Sequence, residues 1–438
     1  MNSNYSRLSA ITAALFYSLA PHASADVITD WNKITVDATK IGGLNSNLGT
    51  RVGAIEAVAV YDAVNSIKHF GTPYHYNVPP ADAASAEAAA AQAAHDVLAY
   101  YFPSQQAALD ANLTASLSTI LDGSPKENGK TVGSASAADI IALRANDGSS
   151  PNVTYPGPVA PGVGEWRPTP GATPGTFPPG INAQWGSVTP FVLAASSSFR
   201  PPPPPAVGSW KYSLALTAVK AIGSVTNVLR TDEQTHIAQF YKQDAELPVN
   251  EAARLLSASR NLSLEENALL FVLTDIAVAD ARIAIWEAKY TYDFWRPVTA
   301  LNADTDGTVT NNYTVWNPLL VTPAHPSYPS GHSGTVKAGF AVLQLFFGDR
   351  NALILHTTTA GESPRTIQSL SQGAAENGLS RIYGGIHYSF DDHEGQNVGL
   401  KVAAYVLAHG PRPIELAHGH DHGHNQDHGQ GHEWAFDH

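Results

Sequence analysis

Three short segments of the sequence carry side chains that together could bind one tetrahedral oxyanion. They provide three cations, a hydroxyl, a backbone N–H beside a glycine, two histidines and a carboxylate: Lys289, Arg296, Ser330, Gly331, His332, Arg381, His387 and Asp391. Such an anion needs hydrogen-bond donors for its oxygens, a nucleophile or ligand on one side and an acid/base group on the other. These residue types therefore indicate a site for a phosphate-like or vanadate-like group.

The first segment places two cations seven residues apart, Lys289 and Arg296, directly before Pro297. On a helix this spacing is close to two turns, about 10 Å along the axis, so both side chains would share a face until the proline ends or bends the helix. A solvated charged face is the alternative. Trp286 and Trp295 make the surroundings apolar, where isolated cations would be costly, and this favours an anion between the two cations.

The other two segments combine helix starts with histidines. Ser330 and Gly331 precede an apolar helical run, where they either cap the helix or present N–H groups and the helix dipole to an anion. His332 follows them as an acid or base. His387 and Asp391 are four residues apart, so on a helix the carboxylate would hold one imidazole nitrogen and leave the other as nucleophile or ligand. A structural His–Asp pair is the alternative.

Together the three segments resemble the superfamily of vanadium-dependent haloperoxidases and type 2 phosphatidic acid phosphatases. The motifs Lys-x6-Arg-Pro, Pro-Ser-Gly-His and Ser-Arg-x5-His-x3-Asp occur in order without a substitution, and the resemblance covers about residues 260–410. It implies that the oxygens of vanadate or phosphate are bound by Lys289, Arg296, Ser330, Gly331 and Arg381. It also implies that His387 bonds to vanadium or attacks phosphorus, that His332 is the acid/base, and that Asp391 orients His387.

Two residues outside these segments favour the haloperoxidase branch. Trp286 lies three residues before Lys289, where haloperoxidases carry a pocket tryptophan, and His325 lies five residues before Ser330, as in bromide- and iodide-using members. The resemblance then implies a vanadate cofactor, hydrogen peroxide polarised by Lys289, and a halide, bromide or iodide, oxidised to a hypohalous-acid equivalent. A core role for Trp286 and a loop role for His325 are the alternatives.

Two other functions stay open at this point. In a phosphatase of the same superfamily, a small phosphoester would pass its phosphoryl group to His387 as a phosphohistidine, and His332 would protonate the leaving alcohol. The histidine-rich tail, 411–438, instead suggests a periplasmic protein that binds metal or an anion, since such tracts bind divalent metals loosely. Deletion of the tail would abolish that function, whereas His387→Ala would abolish either enzyme activity.

The elements that must position these residues are mostly α-helices. Period-two alternation is nearly absent, whereas helical apolar spacing recurs along most of the chain. We expect helices over 48–67, 81–101, 104–121, 127–146, 208–228, 232–243, 249–258, 263–293, 330–347, 362–378 and 391–409. They are expected to form helical bundles, as two halves that each resemble a four-helix bundle.

A long Pro- and Gly-rich stretch, 150–206, separates an N-terminal helical region, 26–149, from a catalytic helical bundle, 207–410. Its composition excludes helix and central strand. A flexible linker is one interpretation, but linkers are usually poor in aromatic residues, and this stretch contains Trp166 and Trp185 among others. An ordered loop that wraps the catalytic region and forms a wall of its pocket is therefore favoured.

Composition narrows the class of protein. Of 438 residues, 43% are hydrophobic and 14% charged, and the formal net charge of −13 disfavours nucleic acid and anionic membranes as partners. The absence of cysteine excludes disulfides and thiolate chemistry. Residues 1–25 read as a signal peptide with an Ala-x-Ala cleavage site, a buried helix being the alternative. We therefore expect a soluble periplasmic or secreted protein with a disordered tail, and a homo-oligomer is left open.

Overall fold

The computed structural model describes residues 26–77 and 83–414, and these residues are mostly helical, as the sequence predicts. The expected signal peptide and the histidine-rich residues 415–438 lie outside them. The helices of the described part are α1 (Val27–Ile41), α2 (Ser46–Lys68), α3 (Ala86–Tyr101), α4 (Gln106–Ser118), α5 (Ser124–Arg144), α6 (Trp210–Ile222), α7 (Asp232–Phe240), α8 (Glu246–Arg260), α9 (Leu264–Tyr292), α10 (Pro297–Ala300), α11 (Gly331–Phe347), α12 (Leu370–Tyr383) and α13 (Ser389–His409). The strands β1 (Leu353–Leu355) and β2 (Arg365–Ile367) form one antiparallel pair.

The longest helix, α9, lies at the centre of the molecule. It begins with a capping box: Glu266 N–H donates to the Ser263 hydroxyl at 3.2 Å, and Ser263 N–H donates to the Glu266 carboxylate at 2.7 Å. From Asn267 to Trp286 every residue is buried, because helices including α2, α11 and α13 pack around it. A largely apolar helix of this kind needs neighbours on every side. Its C-terminal end carries Lys289.

Helices α1 to α5 pack beside α9, mainly through α2. Alanine, the strongest helix former, dominates α3, and its small side chains are buried against α2 and α5. The sequence patterns did not predict α1, whose several β-branched residues lower helix propensity. Two features stabilise α1 nevertheless. Trp31 is buried against the rest of the protein, and Asp26 caps the helix by accepting from Ile28 N–H at 2.8 Å. One set of buried apolar residues extends from α1 to α13.

The crossing of α11 and α13 is unusually close and brings two of the three motif segments together. A Cβ built at Gly399 of α13 would lie 2.2 Å from the Gly334 carbonyl oxygen of α11, nearer than real side chains approach. The two glycines therefore let the helix backbones approach each other. Ser330 directly precedes α11 and His387 lies just before α13. The close crossing thus determines how far apart these two segments are.

The stretch 150–206 is an ordered loop with no α-helix, and it lies against the catalytic region. Trp166 is completely buried in it, and the Trp166 N–H donates to the Asp293 carbonyl oxygen at 2.7 Å, just beyond α9. Further along, Ile181 N–H donates to the Ala324 carbonyl oxygen at 2.9 Å. These bonds attach the loop to the turn between the motif cations Lys289 and Arg296 and to the segment around Ala324.

Several expected helix boundaries were wrong. The helix expected over 362–378 begins only at Leu370, because Arg365–Ile367 pairs with β1 instead. The helix expected over 208–228 ends at Ile222, since the next segment pairs with Pro318 through an isolated bridge. Within 26–77 and 83–414, no helix is both long and apolar enough to cross a membrane.

Candidate active site

Lys289 and Arg296 lie on different elements, so the prediction from their spacing that they share one helix face is wrong. Helix α9 ends at Tyr292, and the residue after it takes a left-handed conformation with φ of 45°. Pro297 starts α10 rather than ending α9, and Arg296 lies in the turn between the two helices. Both side chains nevertheless reach the same segment, 323–327.

Backbone carbonyls hold these two cations in place. Lys289 Nζ donates to the carbonyl oxygens of Pro326 and Ser327 at 2.9 and 2.8 Å. Arg296 Nε donates to the His325 carbonyl oxygen at 2.9 Å. Both cations are completely buried, and neither forms an ion pair with a carboxylate of the described residues. The carbonyls orient these charges without neutralising them, which leaves a strong preference for an anion nearby.

The start of α11 combines a cap with a close approach of backbone to an aromatic ring. The hydroxyl oxygen of Ser330, the N-cap, accepts from Ser333 N–H at 3.4 Å, and Ser330 N–H donates to the Asp391 carbonyl oxygen at 2.9 Å. A Cβ at Gly331 would lie 3.0 Å from the Trp286 ring, so glycine lets the indole lie against the helix start. The N–H groups and dipole of this first turn favour an anion.

His332 lies in the same turn and is neutral at physiological pH. Its Nε2 bonds to the Gln243 carbonyl oxygen at 3.1 Å. A carbonyl can only accept, so the neutral ring carries its proton on Nε2 and leaves Nδ1 free to take another. Burial, followed by the positive charge of Arg381, lowers the pKa of His332 well below its ordinary value. The ring is therefore available as a base.

His387 and Asp391 form the expected pair, although His387 precedes the helix rather than lying within it. His387 Nδ1–H donates to Asp391 Oδ2 at 2.8 Å, and α13 begins between the two residues. The same carboxylate oxygen accepts from the Ser327 hydroxyl at 2.5 Å and from Tyr388 N–H at 3.2 Å. Asp391 therefore connects the third motif segment to the 323–327 segment that holds the cations.

The second nitrogen of His387 faces Arg296. Arg296 Nη1 donates to His387 Nε2 at 2.9 Å and to the Ile386 carbonyl oxygen at 2.7 Å. Because Asp391 fixes the proton on Nδ1, the lone pair of His387 is on Nε2, and in this state it accepts from a guanidinium. Nε2 is thus the nitrogen able to act as ligand or nucleophile, once Arg296 donates elsewhere.

A cavity of about 300 Å³ opens beside these groups. The predicted site residues that line it are Trp286, His325, Gly331, His332, Arg381 and His387. Those that lie buried behind its surface are Lys289, Arg296, Ser330 and Asp391. Ile181 and Asn182 of the 150–206 loop form part of the wall. The ring centroids of Trp286 and His325 are 4.9 Å apart.

Arg282 is a cavity residue that the sequence reasoning missed. It lies on α9, is 2% exposed, and its guanidinium carbon is 5.0 Å from the centroid of the Trp286 ring. The available signal was its spacing: Arg282, Lys289 and Arg296 follow one another at intervals of seven residues. Since Trp286 lies four residues after Arg282, a helix places the two side chains on one face.

The site has an excess of positive charge in a desolvated setting. Burial lowers the pKa of Arg296 to about 10 and that of Arg381 to about 9. Burial, then the charge of Arg296, lowers the pKa values of Lys289 and His387 well below their ordinary values. Burial raises the pKa of Asp391 to about 6. One carboxylate therefore faces several buried cations, and a bound anion would relieve their mutual repulsion.

Buried donors without partners test whether the residues fit an oxyanion. Arg381 donates through Nη1 to the Tyr241 carbonyl oxygen at 2.7 Å, but its buried Nε has no partner among the described residues. The same is true of Trp286 Nε1 and of Nε and Nη2 of Arg282. Buried donors are rarely left unpaired in proteins. Unpaired donors, cations and the N–H groups at the start of α11 around one cavity fit a tetrahedral oxyanion such as vanadate or phosphate.

Comparison with known proteins agrees with this geometry. A family model described as the second helical-bundle domain of vanadium chloroperoxidase matches residues 269–415. Vanadium chloroperoxidase of Curvularia inaequalis is 28% identical over 124 residues, a match that spans 26% of this chain and 18% of the length of that protein. The structure of a bacterial vanadium-dependent iodoperoxidase superposes with a TM-score of 0.75 and 25% identity, covering 87% of this chain and 96% of that one.

These matches support placing the chain in the superfamily of vanadium-dependent haloperoxidases and type 2 phosphatidic acid phosphatases. A bacterial vanadium-dependent chloroperoxidase in its holo form also shares the fold, with a TM-score of 0.69 over 89% of this chain and 94% of that one at 17% identity. The shared fold extends well beyond the motif region, so the amino-terminal half, for which the sequence offered only helical character, follows the same architecture.

Proposed function

We propose that this protein is a vanadate-dependent haloperoxidase that uses hydrogen peroxide to oxidise bromide or iodide to a hypohalous-acid equivalent. The observation that carries this proposal is the pair of rings of Trp286 and His325, with centroids 4.9 Å apart, which line the same cavity as Gly331 and Arg381. An aromatic wall beside oxyanion donors provides room for a polarisable halide next to the reacting centre. The likeness to the bacterial iodoperoxidase over most of both chains supports this assignment.

The residues of the cavity suit vanadate as cofactor. When bound, vanadate supplies a Lewis-acidic centre that activates peroxide towards halide. Lys289, Arg296 and Arg381 would hold its oxygens together with Ser330 and the Gly331 N–H. His387 would be its protein ligand through Nε2. Arg296 Nη1 donates to His387 Nε2 at 2.9 Å in this structure. This Nη1–H would therefore have to donate to an oxygen of the anion instead when Nε2 becomes the ligand.

Two side chains would manage protons and charge during turnover. His332, neutral because burial lowers its pKa, would accept a proton from hydrogen peroxide at Nδ1 and later return it to the product. Lys289, held by two carbonyls, would be favoured in its charged form by the negative charge of the bound anion, and a low local dielectric would strengthen the effect of that charge on the reacting oxygen. Asp391 would keep His387 in the tautomer that leaves Nε2 unprotonated.

A phosphatase of the same superfamily is the second candidate, and the His387–Asp391 pair favours it. A carboxylate 2.8 Å from Nδ1 makes Nε2 a better nucleophile as well as a better ligand. In that reaction Nε2 would attack phosphorus, the bond to the ester oxygen would break, and His332, once protonated at Nδ1, would give that proton to the leaving alcohol. Water would then hydrolyse the phosphohistidine. The same cations would hold the phosphoryl oxygens.

One preparation of protein distinguishes the two enzymes. Half is loaded with orthovanadate and assayed for bromide and iodide oxidation with hydrogen peroxide, and half is assayed without vanadate on a phosphomonoester. We expect halide oxidation that requires vanadate and is lost in His387→Ala. No halide oxidation in the loaded protein, together with fast phosphoester hydrolysis that His387→Ala abolishes, would overturn the proposal. Asp392→Asn, one residue from Asp391 but with a carboxylate that bonds to Gln396 and Ser333 and not to His387, is the matched control.

A further inference from the structure

Trp210 is the one tryptophan of residues 26–77 and 83–414 whose side chain is open to solvent. It is the first residue of α6, and 76% of its surface is exposed. Trp434 lies outside the described residues. The other tryptophans are each 7% exposed or less: Trp31, Trp166, Trp185, Trp286, Trp295 and Trp316. A large aromatic side chain usually stabilises a protein by being buried, so an exposed indole is instead accessible to a reactive solute.

A second cavity, of about 590 Å³, has Trp210 in its wall. The other apolar groups of this wall include Pro202, Pro203, Pro205, Leu214 and Phe390. Tyr328, also in the wall, lies three residues from both His325 and Gly331, which line the active-site cavity. Since consecutive Cα atoms are about 3.8 Å apart, the Cα of Tyr328 is within about 11 Å of each of theirs. A solute that leaves the active site thus starts close to the wall that carries Trp210.

The product of the proposed function is an electrophile, and it reacts first with the most electron-rich groups that it reaches. Sulfur is the usual target, as a thiol or a thioether. The sequence contains no cysteine and one methionine, Met1, which lies outside the described residues. In the described part of the chain, the pyrrole ring of an exposed indole is therefore the most reactive carbon nucleophile. Lys211 and His393 also line the second cavity, but halogen bound to a nitrogen stays reactive and can pass on to the indole.

Trp286 lines the active-site cavity, yet nearby charge protects its ring from an electrophile. The guanidinium carbon of Arg282 is 5.0 Å, and Lys289 Nζ is 5.6 Å, from the centroid of the Trp286 ring. Cations over an aromatic face draw on the same π electrons that an electrophile attacks. Among the described residues, no cation lies over the ring of Trp210. The exposed indole is therefore the better target, although the product forms beside the buried one.

We propose that Trp210 is a site of oxidative modification, where hypohalous acid released from the active site converts the indole to an oxindole. The inference rests on the proposed function, which supplies the oxidant. Halogen adds to C3 of the indole while the hydroxyl group forms a C–O bond at C2, and halide then leaves C3 as a proton leaves C2. The indole gains an oxygen atom and loses an electron pair, which the halogen takes as it returns to halide. Indole and hypohalous acid thus give oxindole, halide and a proton.

Peptide mapping by mass spectrometry during turnover tests this site. Vanadate-loaded protein is given bromide and hydrogen peroxide, and the gain of an oxygen atom is followed at each tryptophan. Trp210 is 76% and Trp316 is 7% exposed, and oxidation follows exposure, so we expect Trp210 to be modified about tenfold faster. His387→Ala should show no gain at Trp210 with the same reagents. Excess free methionine, which consumes the released acid, should suppress the gain in the parent protein. Trp210→Phe should leave the initial rate of bromide oxidation unchanged.

A second arm of the experiment separates this inference from the proposed function. Vanadate-free protein receives a substoichiometric amount of hypobromous acid, which supplies the oxidant directly. Oxidation at Trp210 before the other described residues supports the site, whether or not the protein makes the acid. Modification that begins at Trp286, or at the exposed phenol of Tyr100, would overturn the inference in either arm. So would oxidation of Trp210 that persists in His387→Ala or in excess methionine. Absence of bromide oxidation in the vanadate-loaded parent would count against the proposed function, and the second arm would still decide the site.

Discussion

Asp391→Asn tests how the site holds its ligand histidine, because the carboxylate is a single link between separate segments. Oδ2 of Asp391 accepts from the Ser327 hydroxyl at 2.5 Å, from His387 Nδ1 at 2.8 Å and from Tyr388 N–H at 3.2 Å. An asparagine keeps the shape but offers a neutral oxygen and an NH2 group. The bond to His387 therefore loses the negative charge that strengthens it.

Two effects of this change oppose each other for an incoming anion. Loss of the Asp391 charge leaves Lys289 and Arg296 without their nearby countercharge, which by itself would strengthen the binding of any anion. Loss of the charged acceptor also weakens control over the His387 tautomer, which by itself would weaken a bond from Nε2. Changes to such outer partners typically reduce metal affinity by about 10–100-fold, or about 1.4–2.7 kcal/mol. We expect this second effect to dominate for vanadate.

The two effects are separated by comparing vanadate with phosphate. Phosphate binds through its oxygens without a lasting bond from His387, so Asp391→Asn should bind phosphate as tightly as the parent or more tightly, while vanadate binding weakens. Titration calorimetry on the parent, Asp391→Asn and the neighbouring Asp392→Asn measures both constants. Equal shifts for the two anions in Asp391→Asn, or unchanged vanadate binding, would show that Asp391 does not act through His387.

Three further changes test the electrostatics and packing of the same helices. Arg381→Lys keeps the charge but loses the planar guanidinium with its unpartnered Nε. The affinity for an oxyanion, measured by calorimetry, should fall about tenfold. An unchanged affinity would show that Arg381 is not one of the donors to the anion. Gly399→Ala would place a Cβ 2.2 Å from the Gly334 carbonyl oxygen. It should therefore lower the free energy of unfolding, measured by denaturant titration, by roughly 1–3 kcal/mol. Leu400→Ala, at an exposed position next to it, should change this free energy little. Burial raises the pKa of Asp275 to about 7, so the folded state binds its proton more tightly than the unfolded state. The contribution of Asp275 to stability is fully present below about pH 4 and is lost as pH rises to about 7, at up to about 1.4 kcal/mol per pH unit. Asp275→Asn should therefore reduce the dependence of the free energy of unfolding on pH over this window. An unchanged pH dependence would contradict the assignment.

Much of the site could be predicted from the sequence because oxyanion chemistry depends on residue type. Cations, a helix-start Ser-Gly pair and a His–Asp pair are recognisable without coordinates, and the structure brings all three segments to one cavity region. Local capping rules were similarly reliable, as at Ser263 and Glu266, since the capping bonds involve residues three positions apart. Helix α1 was missed because burial of Trp31, a tertiary effect, outweighs its low propensity.

The sequence by itself determined the kind of chemistry and the mostly helical class, since residue types and local periodicity are properties of the chain. Tertiary structure alone decided that Arg296 leaves α9 yet still reaches His387, and that Ser327 joins Asp391. It also decided that Arg282 faces the cavity, because seven-residue spacing shows that residues share a helix face but not which neighbours that face meets. The reason is physical: charge state, pKa and unpaired donors depend on desolvation and on neighbours distant in the sequence.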